Sequence, residues 1–333
     1  MGLSENIIFE LRRRRGKGIA QSEMESLFGF SRSHVSETIS KLEKSGKIIS
    51  RNDENNLRRI WLTEFFPYYM DNVLRIGFLK SSEYIPFIST AADIAELYGI
   101  SLLMEDYSDA MLMMDDLNDG LIEIALAPFF TQMLYSVSNS NVKITGAVSS
   151  GGSCVIENQD ATNDICASTE SSSMMLIMRE FLKKTGDRKV KNFRDPGRAL
   201  GMFRESRIRF LAIWEPYLSK AGGKIAMNYG EAMDSFPCCT VALKKEMTEK
   251  KIIEAIMSRY LKGSEVVIDQ NVLIKFSKIT RIDVETIRRS LESYNFSPKF
   301  DYETVKNYLK FTGMMLSDDK LKSIFSFRYY GMK

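Results

Sequence analysis

A single histidine, His34, occurs among the 333 residues. Catalysis or metal binding by clustered imidazoles is therefore excluded, and His34 reads as an exposed helix residue rather than a ligand or base. Cysteine is nearly as scarce. Cys154, Cys166, Cys238 and Cys239 lack the paired spacing of a zinc site or a disulfide framework, so reduced packing thiols are expected, with no metal and no cofactor. No stretch approaches the roughly 20 apolar residues of a membrane span. No secretory signal is readable either, because a signal needs an apolar run of about 7–15 residues, whereas Ile7-Ile8-Phe9 is followed at once by Arg12-Arg13-Arg14-Arg15. These absences predict a cytoplasmic protein with no membrane partner. Net charge is also small, with 46 Lys/Arg against 43 Asp/Glu.

What is present is unevenly distributed. Residues 1–63 hold 12 Lys/Arg against 8 Asp/Glu, and the remaining 270 hold 34 against 35. The length exceeds the roughly 100–200 residues of a typical domain. With 44% hydrophobic and 27% charged residues, two or three buried cores can form. The sequence changes character between Glu64 and Val73, so the expected division is 1–63, a linker 64–72, and 73–333.

In the first segment, Ser4 precedes an apolar stripe of Ile7, Ile8 and Leu11 that ends near Gly16 and Gly18. A second helix is predicted from about Gln21 to Phe28, ended by Gly29. Ser31 then caps a third, in which Val35, Ile39 and Leu42 share one face and Arg32, Ser33, Ser36, Glu37 and Ser40 point elsewhere. After Gly46 the period becomes that of strands, giving a hairpin of 47–51 and 57–62 around the polar turn 52–56.

This arrangement resembles the winged helix-turn-helix of bacterial and archaeal transcription regulators, most specifically in FGFSRSHVSETISKLEKSGKI joined to the basic hairpin. The resemblance implies DNA as a partner. Arg32, Ser33, His34 and Ser36 on the third helix are the candidates for the major groove, and Arg51, Arg58 and Arg59 on the hairpin for phosphates. The run Arg12–Arg15 carries less weight, since such runs are more often solvated helix faces.

From Val73 onward, strand and helix patterns alternate: strand 73–79, helix 85–97, strand 100–106, helix 111–118, strand 121–127. That alternation predicts βαβ units and a mainly parallel sheet. Ligands of such sheets sit at the carboxyl ends of strands, which points to the loops 80–84, with Ser82 and Tyr84, and 128–130, with Phe129. Strand 164–167 runs into Ser168, Thr169 and Ser171 ahead of a helix at 174–185, so hydroxyls gather at a helix N-terminus suited to an anion. An N-cap with surplus serines explains the same pattern equally well. Four further helical patterns are predicted at 246–261, 266–277, 284–294 and 302–312.

Three segments, SSGGSCVI (149–156), WEPY (214–217) and FPCCTV (236–241), follow LRIGFL and DGLIEIALAP in an order that looks like the solute-binding proteins of nitrate, sulfonate and thiamine-pyrimidine uptake systems. The likeness spans about 73–315. It implies a two-lobed domain closing on a ligand, with lobe I 73–152 and 240–333 and lobe II 153–239. It also brings Gly152, Ser153, Trp214 and Glu215 to the cleft, where an indole can stack on a flat ligand and a carboxylate can accept from amino groups. A hinge-packing role suits Trp214 as well. Enzymes of thiamine-pyrimidine synthesis share this fold but carry a cysteine-rich motif with catalytic histidines, so no catalytic residue is assigned here.

The expectation is thus an α/β chain: an N-terminal winged helix (α+β) followed by a two-lobed type II periplasmic-binding-protein-like domain. Its expected role is that of a cytoplasmic, dimeric transcription regulator sensing an anionic or pyrimidine-like small molecule. The alternatives are a solute-binding or transport accessory protein that does not touch DNA and, after it, an enzyme of thiamine-pyrimidine metabolism.

Overall fold

The computed structural model describes residues 2–53, 55–234, 236–262, 268–296 and 298–328. Glu54 in the expected hairpin turn and residues 266–267 of the second predicted C-terminal helix lie outside them. The chain divides into a smaller unit, residues 1–70 with 119–122, and a larger one, 71–118 with 123–333.

The smaller unit contains α1 (Leu3–Arg14), β1 (Ile19–Ala20), α2 (Gln21–Phe28), α3 (Arg32–Lys44), β2 (Ile48–Asn52) and β3 (Arg58–Leu62). Its sheet is antiparallel with β3 central. Apolar residues at helical spacing on α1 and α3 (Ile7, Leu11, Val35, Ile39, Leu42) meet Ile19, Met24, Ile48 and Ile60 in one core. Burying each such side chain contributes about 1.5–3 kcal/mol. Ser31 caps α3 as the sequence predicts, accepting from the His34 amide at 3.4 Å. Gly18 is needed where it stands: its φ is +54°, and a Cβ there would lie 2.6 Å from the Ile60 carbonyl oxygen.

Within the expected linker 64–72, Phe65 and Phe66 are buried and Thr63–Phe65 forms a 3-10 turn. One expectation changes here. Leu121, read as the start of a strand, belongs to the small unit's core, and the strand begins at Ile124, where pairing with Ile76 starts.

In the larger unit the first lobe is built on β4 (Val73–Leu79), α4 (Ile85–Leu97), β5 (Ser101–Tyr107), α5 (Ala110–Asn118), β6 (Ile124–Pro128), α6 (Phe129–Ser138) and β7 (Val142–Gly151). The chain crosses at Gly152 into β8 (Ser153–Glu157), β9 (Cys166–Ser168), α7 (Ser173–Thr185), β10 (Val190–Asn192), α8 (Pro196–Arg204), β11 (Phe210–Trp214), α9 (Leu218–Ala221), β12 (Lys224–Asn228) and α10 (Tyr229–Met233). It returns at β13 (Cys239–Lys244), followed by α11 (Lys251–Lys262), α12 (Gln270–Thr280), α13 (Val284–Ser290), β14 (Tyr294–Asn295), α14 (Tyr302–Thr312) and α15 (Asp318–Ile324).

Two sheets result, ordered β14-β7-β13-β6-β4-β5 and β10-β9-β11-β8-β12. Strand β4 pairs parallel with β5 and β6, while β13 runs antiparallel to β6 and β7. The nearly continuous apolar run of β4 reflects a strand covered on both faces. Its one charge, Arg75, is buried and held by Glu123 at 2.5 Å.

Candidate functional site

Between the two lobes lies a cavity of about 300 Å³. Its first wall comes from loops at the carboxyl ends of β4, β5 and β6: Leu79–Ser81, Glu83, Tyr84, Tyr107–Met111, Pro128 and Thr131, with Cys238 and Cys239 at the start of β13. The second wall comes from Thr169–Met174 after β9, Asn192–Pro196 after β10, and Trp214 at the end of β11. A strand end leaves its loop free to point side chains at a ligand while the sheet fixes their spacing.

The lobes are tied together around this cavity. Trp214 Nε1 donates to the Lys80 carbonyl at 3.0 Å, the Ser82 amide to the Glu215 carbonyl at 3.2 Å, and Thr131 Oγ1 to the Ser171 carbonyl at 2.5 Å. At the crossing, Gly152 has φ +65°, and a Cβ on it would lie 1.9 Å from the Tyr294 ring. A glycine is therefore required by the tyrosine's approach.

The cavity's charges are not equivalent. Asp109 is occupied by the Met111 and Leu112 amides, Asp195 by the Arg198 amide at 2.6 Å, and Glu170 by Asn192. Glu83 is buried, and burial pushes its carboxyl up despite bonds from Ser149, Cys239 and Ser81; it is therefore biased toward its neutral form. Lys80 from the first lobe and Arg194 from the second have no salt-bridge partner among the described residues. The N-terminus of the 13-residue α7, capped by Ser172, also lines the cavity and adds partial positive charge. The wall is also aromatic: Phe193 and Trp214 are stacked with ring centres 6.1 Å apart.

Of the cleft residues expected from the sequence, Tyr84, Thr169, Ser171 and Trp214 line the cavity. The other six lie elsewhere. Ser82 is buried against Ser290, Gly152 and Ser153 sit at the crossing, and Glu215 is buried where it caps Ser219. Phe129 faces away, stacked on Tyr308 at 4.4 Å, because the first turn of α6 turns it into the lobe's core. Ser168 lines a different cavity with Met175 and Met178. Lys80 and Glu83 lie in the loop 80–84 to which the sequence points, without being named there, and Phe193 and Arg194 were missed. The helix-start signal that flagged Ser168–Ser171 has a counterpart at Asp195-Pro196, which would have drawn attention to Phe193 and Arg194.

The residues expected to read DNA are occupied within the small unit. Arg58 is held by Glu43 at 2.7 Å, Arg59 by Asp53 at 3.1 Å, and Arg51 lies over the Tyr68 ring. Arg32 is 3.7 Å from Glu25, Ser33 bonds to Ser31, His34 stacks on Phe30, and Ser36 is half-buried. Two of the three hairpin arginines thus face carboxylates of the same unit, Glu43 on α3 and Asp53 in the hairpin turn.

No protein-family model matches the chain, and no curated protein matches it. Solved structures do. The ligand-binding component of an ABC-type import system from Staphylococcus aureus, with zinc bound, superposes with a TM-score of 0.63 at 15% identity over 78% of this chain and 98% of that one. The periplasmic aliphatic sulphonate binding protein of Escherichia coli gives 0.56 at 13% over 73% and 86%. The periplasmic nitrate-binding protein of Synechocystis PCC 6803 gives 0.55 at 13% over 78% and 87%. The fold is accordingly a mixed α/β, two-lobed, periplasmic-binding-protein-like one.

These neighbours correct the expectation of a DNA-binding transcription regulator: what the chain resembles are solute-binding components, two of them named as periplasmic. The expected cytoplasmic location falls with it.

Proposed function

We propose that the chain is a solute-binding protein whose lobes close on one small molecule, and that this molecule carries an anionic group beside a flat apolar part. The observation that carries this reading is that Lys80 and Arg194, one from each lobe and without a salt-bridge partner among the described residues, line one cavity together with the N-terminus of α7. A ligand bridging them favours the closed form by the difference in its affinity for the two states. The aromatic wall of Phe193 and Trp214 suits the apolar part. The sulphonate- and nitrate-binding neighbours support both the ligand class and a role in uptake outside the cytoplasm.

Within this reading the ligand-sensing domain is 73–333, with lobes 73–152 plus 240–333 and 153–239. Residues 1–63 form a winged-helix module, supported by the order α1-β1-α2-α3-β2-β3 and the central β3.

Thermal-shift ranking of alkanesulfonates, inorganic oxyanions and aminopyrimidines tests the function. A sulfonate or oxyanion should raise the unfolding temperature in the wild type and fail to do so in Lys80→Met/Arg194→Met. A ranking led by neutral aminopyrimidines, unchanged in the double variant, would overturn the anionic assignment.

A further inference from the structure

Deep on the β13 side of the cavity, Glu83, Cys238 and Cys239 bring one carboxylate and two thiols to a single point. Their donor atoms all lie within 4.8 Å of one another. Each residue is buried, at 3%, 4% and 2% exposure, yet all three line the cavity. The other thiols, Cys154 and Cys166, are buried on β8 and β9, outside the cavity lining.

We propose that Glu83, Cys238 and Cys239 hold one thiophilic divalent cation of the zinc class at the floor of the cleft, with a fourth position open to the cavity. Zinc takes sulfur at about 2.3 Å and carboxylate oxygen at about 2.0–2.2 Å in a tetrahedron. Those bond lengths set ligand atoms about 3.5–3.8 Å apart, so Cys239 Sγ, which donates to Glu83 Oε1 at 3.1 Å, would open by a few tenths of an ångström once its proton is lost to the metal. Two sulfurs select against magnesium and calcium, which prefer oxygen alone.

The surroundings are those of an oriented ligand set. Ser81 Oγ and Ser149 Oγ donate to the two Glu83 oxygens at 2.9 and 2.5 Å, and Tyr84 Oη lies 3.0 Å from Cys239 Sγ. Such outer contacts fix the direction of the donor atoms before a metal arrives. Adjacent Cys238 and Cys239 both reach the site because the chain is only entering β13 there, so strict alternation of side chains across the sheet does not yet apply. The open fourth position faces the solute cavity, so a bound solute can complete the coordination.

This inference goes beyond the solute-binding reading and is tested with metal alone. The full chain, kept reduced with a phosphine and stripped with a chelator, is titrated with Co²⁺ and then Zn²⁺. One equivalent of Co²⁺ should develop a near-ultraviolet sulfur-to-cobalt band that Zn²⁺ abolishes. Cys238→Ser and Cys239→Ser should each weaken binding at least tenfold, and Cys154→Ser should leave it unchanged. X-ray absorption of the zinc-loaded wild type, which needs no variant to fold, should show two sulfur neighbours. A metal shell without sulfur, or an undiminished cobalt band in Cys238→Ser/Cys239→Ser, would overturn the site. Loss of solute binding alone changes none of these readouts.

Discussion

Trp214 Nε1 donates to the backbone carbonyl of Lys80 at 3.0 Å, linking the last residue of a second-lobe strand to the loop after the first strand of the first lobe. The same indole forms part of the cavity wall. One side chain therefore holds the lobes together and faces the solute. Trp214→Phe keeps most of the ring and removes the donor, which costs about 1 kcal/mol of closed-state stability. Solute affinity should fall about fivefold, and small-angle scattering of the loaded variant should show a larger radius of gyration than the wild type. Equal radii would separate the bond from closure.

Gly152→Ala should destabilise the larger unit by about 1–3 kcal/mol, because the added methyl meets the Tyr294 ring at a position with φ +65°. Urea unfolding measures this. In Gly152→Ala/Tyr294→Leu the clash is relieved, so the two substitutions should be non-additive.

Periodicity made much of the fold legible. The helix 85–97 and the strand 73–79 were readable because their residues repeat at the spacing of the element and lie in one core. Isolated site residues carry no such period. Glu83 is one carboxyl in a loop, and Lys80 and Arg194 share a cavity only because two lobes face each other across it. Phe129 followed a strand end, as a ligand residue should, but an apolar ring at the start of an apolar helix finds more partners in the core than in a cleft. Charge counting misled for a related reason. The excess of Lys and Arg in 1–63 does not reveal that Arg58 and Arg59 are spent on Glu43 and Asp53.

Breaking the buried pair on β4 should be more costly than any cleft change. Glu123→Ala leaves Arg75 buried without the carboxylate that holds its guanidinium at 2.5 Å, a loss of about 3–5 kcal/mol. Chemical denaturation of the full chain should show the transition of the larger unit moving to lower denaturant, with Glu123→Ala more affected than Trp214→Phe.

Acid should weaken the smaller unit's helix α1 only at low pH. Hydrogen bonding and charge from Arg13, with Arg14 beside it, bring the Glu10 carboxyl down from 4.5 to about 2 against the opposing effect of burial. The folded form therefore binds this proton less tightly than the unfolded chain. The contribution is fully present above pH 4.5 and is lost as pH falls through about 2. Glu10→Gln should narrow its stability deficit relative to the wild type on acidification, read from unfolding midpoints at stepped pH. A deficit constant with pH would show that the pairing adds nothing.

Isothermal titration of nitrate, an alkanesulfonate and an aminopyrimidine into the full chain, repeated with Lys80→Met/Arg194→Met, tests the solute-binding account most directly. Charged hydrogen bonds of this kind are worth about 1.5–3 kcal/mol each, so one of the two anions should bind with one-to-one stoichiometry and weaken by at least about tenfold in the double variant. No heat from any of the three, or an anion bound equally well by the variant, would contradict it.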